Sequence, residues 1–156
     1  MDLSVVHSTF VIEHRYPYPA ERLFAVFADP AKKRRWFAES DNHDIDVYEM
    51  DFRVGGVERT AYRLRPGTPF PGVTLETEGT IQDIVPNERV VTASTMSLGE
   101  RRISSSLVTV EFVPKEKATE LVLTHQGAFY EGSGGPKMRE EGWRKLLDQL
   151  GTYLSK

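Results

Sequence analysis

The chain contains no cysteine. That excludes a disulfide scaffold, a thiol nucleophile and a cysteine-ligated zinc site. Long apolar runs are also missing. The longest, Leu23 to Ala28, falls far short of the roughly 20 residues that a membrane helix needs. The start, Met1-Asp2-Leu3-Ser4, places no basic region before an apolar stretch, so no signal peptide is expected and the reading is cytoplasmic. Excess charge of either sign is absent: the net charge is −3 and the pI about 5.8, which does not favour nucleic acid. What is present is ordinary for one globular domain. The 156 residues carry 39% apolar and 28% charged side chains, enough to bury a core. One domain spanning residues 1–156 is expected, with no repeat and no low-complexity tract.

The middle of the chain reads as strands and the two ends carry helices. From Ser8 to Tyr16, Phe10, Ile12 and His14 alternate with Val11, Glu13 and Arg15, so the first set faces the core. Pro17 and Pro19 stop that strand, and Pro19 suits the first turn of a helix running to about Ala28. Asp29-Pro30 is a cap followed by a proline, which starts a second short helix ending near Trp36-Phe37.

About six strands follow between Ile45 and Gln126. Tyr48, Met50 and Phe52 alternate along one, and Thr60, Tyr62 and Leu64 along the next. Three prolines and two glycines between Arg65 and Gly72 make a loop. Further alternations run through Val73 to Gln82, Val90 to Met96, Leu107 to Phe112 and Leu121 to His125. Turns at Pro86-Asn87, Leu98 to Glu100 and Pro114 to Lys117 separate them. Strands this close together imply an antiparallel sheet built from hairpins.

A final helix opens at Pro136 and runs to about Leu154. Trp143, Leu146, Leu147, Leu150, Tyr153 and Leu154 form one apolar stripe. Lys137, Arg139, Glu140, Arg144, Lys145 and Asp148 are read as its polar back. At about 28 Å the helix has to lie across a large sheet face. Gly142 interrupts the stripe at about 1 kcal/mol against Ala, so either something packs closely there or space is left open.

Chemistry-bearing motifs are few. The four histidines, His7, His14, His43 and His125, show no metal-protease spacing. His14 and His125 fall on inward strand faces. Each is either a core histidine held by a hydrogen bond or a polar anchor or acid/base in a cavity. Gly132 to Lys137 lacks the nucleotide-loop spacing, and Pro136 removes an amide an anion would use. Lys32-Lys33-Arg34-Arg35 reads as a solvated basic face. Ser104-Ser105-Ser106 reads as an edge or bulge. Asp51, Glu58, Glu76 and Glu78 lie on strands with no partner evident. No metal site and no cofactor are implied. The aromatics Trp36, Phe37, Phe52, Tyr62, Phe129, Tyr130 and Trp143 recur where helices meet the sheet, and a single helix does not fill the concavity of a bent sheet.

The order of motifs resembles the START-like, birch-pollen-allergen-like superfamily, also called SRPBCC. Within it the chain is similar to the branch named for homologues of the activator of the heat-shock-protein-90 ATPase. The matching residues are Pro19 to Phe24, Asp29-Pro30 with Trp36-Phe37, Asp51 to Gly56, and Gly79-Thr80-Ile81. Thr109 to Phe112, Leu123 to Gly127, and Gly142-Trp143 complete the set. They cover about Ser8 to Leu154. The resemblance implies an α+β helix-grip fold: a curved antiparallel sheet of about seven strands around a long C-terminal helix, with two short helices after the first strand. It implies that the first and last strands are antiparallel neighbours, so that His125 lies near Phe10 and His14 near Leu121. Relatives often carry a large aromatic near the end of the strand that here reads Ala93 to Met96, and its loss enlarges the cavity.

The expected function is binding of a small, largely apolar ligand between the terminal helix and the sheet, without catalysis. Trp143 and Leu147 are expected to form one wall, and Phe52, Tyr62 and Met96 the other. Trp36-Phe37 and Phe129-Tyr130 guard the mouth, and His125 supplies one polar contact. Two other classes stay open. A polyketide-cyclase or aromatase would use His125 or Tyr62 as acid/base, and a co-chaperone-like module would use an outer patch. A homodimer is left open.

Overall fold

The structure is a computed structural model that describes residues 4–156. The reading of the N-terminus for a leader rests on Met1 to Ser4 and so falls mostly outside the described residues. Elements follow in the order β1 (Val6–Tyr16), α1 (Ala20–Ala28), α2 (Pro30–Lys33), a π-helical turn (Arg34–Ala38), β2 (His43–Met50), β3 (Val57–Leu64), β4 (Thr74–Val85), β5 (Arg89–Leu98), β6 (Arg101–Lys115), β7 (Ala118–Phe129) and α3 (Gly135–Leu154). The seven strands form one antiparallel sheet in the order β1-β7-β6-β5-β4-β3-β2. The helix-grip architecture is as the sequence implies.

Local chemistry accounts for the boundaries. The Asp29 carboxylate accepts from the amides of Ala31 at 2.9 Å and Lys32 at 3.3 Å, the capping geometry that Asp-Pro promises. The second helix differs from expectation. After Lys33 it widens into a π turn, which carries Trp36 inward to 1% exposure. Asn87 and Lys117 adopt positive φ at the tips of the β4–β5 and β6–β7 hairpins, where tight turns demand it. The strand carrying Tyr48 and Met50 ends at Met50, so Phe52 lies just beyond it. Ser104 to Ser106 is no edge, since it lies within β6, an interior strand of the sheet, but the bulge reading holds at its start, where the ladder steps from Met96 opposite Ser104 to Ser97 opposite Arg102. Ladder slips at Ile45/Val47, Ile81/Asp83 and Met96/Ser97 bend the sheet.

The core occupies one end of the concave face. Phe10, Ile12 and Tyr16 of β1 and Leu121 and Leu123 of β7 pack with Val110 and Phe112 of β6. Leu23, Val26 and Phe27 of α1 and Leu147, Leu150 and Leu154 of α3 close over them. Each large apolar side chain buried there contributes about 1.5–3 kcal/mol. Two long-range polar links fix α3 in place. The Tyr16 hydroxyl donates to the Leu147 carbonyl at 2.7 Å. The Arg22 guanidinium donates to the Leu154 carbonyl at 2.6 Å, satisfying an orphan acceptor at the helix end.

Toward the N-terminal half of α3 the sheet changes character. One cross-strand row reads Gly127, Ser106, Ser94, Gly79. The next reads Phe129, Ser104, Met96, Thr77, Thr60. Small hydroxylated residues and glycine replace the large apolar ones, and Ser94, Ser106, Met96 and Thr77 are only half-buried. The helix is anchored over the core, while this second half of the bowl has a floor of small residues.

Candidate functional site

The site is the bowl defined by those two rows, the N-terminal half of α3 and the π turn. Its floor owes its shape to close approach. A Cβ on Gly79 would lie 2.8 Å from Thr92 Cγ2. A Cβ on Gly127 would lie 2.8 Å from both His125 Cε1 and Phe129 Cε2. Only glycine lets those two rings lean over the strand. His125 stacks on Phe10, with centroids 4.7 Å apart, and stands 5.7 Å from Phe129.

Arg139, assigned to the polar back of the last helix, turns inward instead. Its Nη2 donates to Ser104 Oγ at 2.7 Å and approaches Met96 Sδ at 3.1 Å. Its guanidinium carbon lies 5.3 Å from the centre of the Phe129 ring, within cation–π reach. A signal for this existed. Arg139, Trp143, Leu147, Leu150 and Leu154 follow helical spacing, so Arg139 continues the buried stripe upward. Its charge disguised it as solvent-facing.

Burial sets the electrostatics. The Arg139 guanidinium is pushed down to about 10 by loss of solvent. The His125 imidazole is pushed down to about 4, first by burial and then by the Arg139 charge. At neutral pH His125 is therefore uncharged, and its Nδ1 meets no hydrogen-bond partner among the described residues. Ser106 Oγ is likewise buried and unpartnered there.

A second polar cluster stands on the opposite side. Lys33, read as part of a solvated face, reaches Glu58 at 2.7 Å, with both side chains nearly buried at 12% and 13% exposure. The Tyr48 hydroxyl donates to the same carboxylate at 3.0 Å. Burial, then the Glu58 charge, drives the Tyr48 phenol well above its usual range. Lys33 also lies 4.6 Å over the Phe37 ring. These contacts pin the π turn to β3.

The aromatic residues divide. Phe37 and Trp143 stand 5.9 Å apart, both half-buried, where α3 faces the π turn. Trp36 is core rather than mouth: it packs on Phe27, and its Nε1 donates to the Val26 carbonyl at 2.9 Å. Leu147 is fully enclosed in the core. Phe52 packs edge-on against Phe24, 5.7 Å away, at the α1 end. Tyr62 stacks on His43 at 3.9 Å, and burial pushes its phenol upward. Tyr130 turns away from the bowl, since its hydroxyl bonds Ser105 at 2.7 Å on the other side of β6. Met96, His125 and Phe129 gather around the floor with Arg139, Ser104 and Ser106, and Trp143 stands apart from them against Phe37.

Gly142 settles the question its sequence position raised, for a Cβ there would meet nothing within 4 Å. It lies on the flank of α3 that faces the π turn, the flank from which Gln149 donates to the Trp36 carbonyl at 3.0 Å. The notch is open. Beyond Phe129, a separate groove of about 480 Å³ runs between Ser4, Val6 and the Glu131 to Gly135 loop. Among the described residues no cluster of three potential metal ligands occurs, and no helix is long and apolar enough to cross a membrane.

Residues 17–155 match the family model described as Activator of Hsp90 ATPase homolog 1-like protein. No curated protein matches the chain. Solved structures do. An uncharacterized protein from Rhizobium leguminosarum is 36% identical, with 97% of each chain covered and a TM-score of 0.90. A protein from Rhizobium loti is 40% identical, with 97% of this chain and 99% of that one covered and a TM-score of 0.83. The AHSA1 protein from Silicibacter pomeroyi is 21% identical over 95% and 98%, with a TM-score of 0.71; it shares the fold.

Proposed function

The chain belongs to the Activator of Hsp90 ATPase homolog 1-like family, and on that premise we propose that it binds a small, largely apolar molecule in the bowl beneath the N-terminal half of α3. One observation carries this reading. The floor between β3 and β7 is made of Gly127, Ser106, Ser94, Gly79 and Thr77, small residues where the other half of the sheet carries large apolar ones. A protein that needed only stability would fill such a space with Leu, Ile or Phe. Trp143 and Met96 supply facing apolar surfaces, Phe37 and Tyr62 line the approach, and Phe129 with His125 closes the inner end. Binding without chemistry fits this site. The buried imidazole of His125, pushed down to about 4, makes a weak base at neutral pH.

The test is fluorescence titration with N-phenyl-1-naphthylamine, a neutral apolar probe. Saturable one-to-one binding is expected in the native protein. Met96→Trp, which fills the floor, is expected to weaken it at least tenfold while the fold is retained. Absence of saturable binding, or equal binding by Met96→Trp, would overturn the reading.

A further inference from the structure

Resting on that reading, we propose that the molecule held in the bowl carries an anionic head, of the carboxylate class, which pairs with the unused edge of Arg139; the ligand is an amphipathic acid. Arg139 is half-buried, its guanidinium set against Phe129, Met96 and Ser104. A buried cation is costly unless it is paired. Arg139 has no carboxylate within ion-pair distance among the described residues.

Its protein contacts are lopsided. Both hydrogen bonds come from Nη2, to a neutral hydroxyl and a thioether. Nε and Nη1 meet no protein acceptor among the described residues. A guanidinium presents parallel N–H groups that suit the two oxygens of a carboxylate. The acidic residue facing the same bowl is Glu58 on β3, three strands from Ser104 and so about 14 Å away at ordinary strand spacing. It is already held by Lys33 and Tyr48.

Two more buried polar atoms surround the spot. Ser106 Oγ lies two residues along β6 from Ser104, and the His125 ring flanks Phe129; among the described residues Ser106 Oγ and His125 Nδ1 both lack partners. Buried polar atoms are ordinarily satisfied, and a carboxylate beside Arg139 offers lone pairs to such donors. The apolar body would then lie toward Trp143 and Phe37.

The experiment compares N-phenyl-1-naphthylamine with 8-anilinonaphthalene-1-sulfonate, which is the same ring system carrying one anionic group. Both are titrated by fluorescence at 150 mM salt against the native protein, Arg139→Gln and Arg139→Lys. The native protein is expected to hold the anionic probe at least tenfold more tightly than the neutral one. Arg139→Gln is expected to bring the two within about threefold. Arg139→Lys keeps the charge and loses the fork, so its preference should fall at least threefold; it carries the comparison if Arg139→Gln does not fold. Equal affinities in the native protein, or a preference that survives both substitutions, would overturn the anionic head and leave the apolar bowl standing. Failure of both probes to bind would overturn both.

Discussion

His125 stands directly opposite Phe10 across the β1–β7 ladder, their rings stacked 4.7 Å apart and 5° from parallel. The imidazole is 1% exposed. It marks the border between the packed core and the hydroxyl-lined bowl, and it is folded into the protein in its neutral form.

That neutrality makes stability depend on pH. The imidazole is held at about 4 in the fold and returns to about 6.5 when unfolded. Above 6.5 neither state binds the proton, and stability is full. Between 6.5 and 4 the unfolded chain takes it up first, so stability falls as pH falls, by up to roughly 3 kcal/mol. Below 4 this contribution changes no further. Urea unfolding at pH 7 and pH 4.5 should show a loss in the native protein that His125→Gln lacks. Parallel pH dependence in the two proteins would show that His125 is not held neutral.

The Lys33–Glu58 pair joins the end of α2 to β3 with both partners nearly buried. Removing one partner strands the other, and Glu58→Gln should cost roughly 2–4 kcal/mol. The paired substitution Lys33→Met with Glu58→Leu should recover most of it. Thermal unfolding of the three proteins measures this. A Glu58→Gln variant within 0.5 kcal/mol of the native protein (about the scatter for surface changes) would show the pair to be idle.

Gly127 and Gly142 should respond oppositely to alanine. A methyl on Gly127 strikes the His125 and Phe129 rings at 2.8 Å, and overpacking there should cost about 1–3 kcal/mol. A methyl on Gly142 meets nothing and relieves a helix-interior glycine, so Gly142→Ala should gain about 0.5–1 kcal/mol. Chemical denaturation reports both. Destabilisation by Gly142→Ala would mean that the helix is packed at this position in solution.

Much of the fold was legible in the chain. Period-two alternation marked the strands, Asp29-Pro30 marked the second helix, and the motif order placed His125 beside Phe10 and His14 beside Leu121, as the ladder has them. The site was harder to read. Its floor is built from Gly79, Ser94, Ser106 and Gly127, and small residues leave no hydrophobic signal that distinguishes a bowl from a turn. Charge misled twice: Lys33 and Arg139 were given to solvent, yet both bury their stems and find polar partners inside. Aromatics misled the other way. Trp36 looks like a gate in sequence, but the π turn rotates it into the core, where its indole N–H is satisfied by Val26. Tyr130, one residue past Phe129, takes the opposite face because strands alternate.

The most direct measurement is a crystal structure of the protein grown with N-phenyl-1-naphthylamine. The account predicts density for the probe between Met96 and Trp143, above Ser94 and Ser106, with the neighbouring side chains close to the positions described above. A structure in which Trp143, Met96 and Phe37 have collapsed into that space, leaving the probe on the outer surface or nowhere, would contradict it.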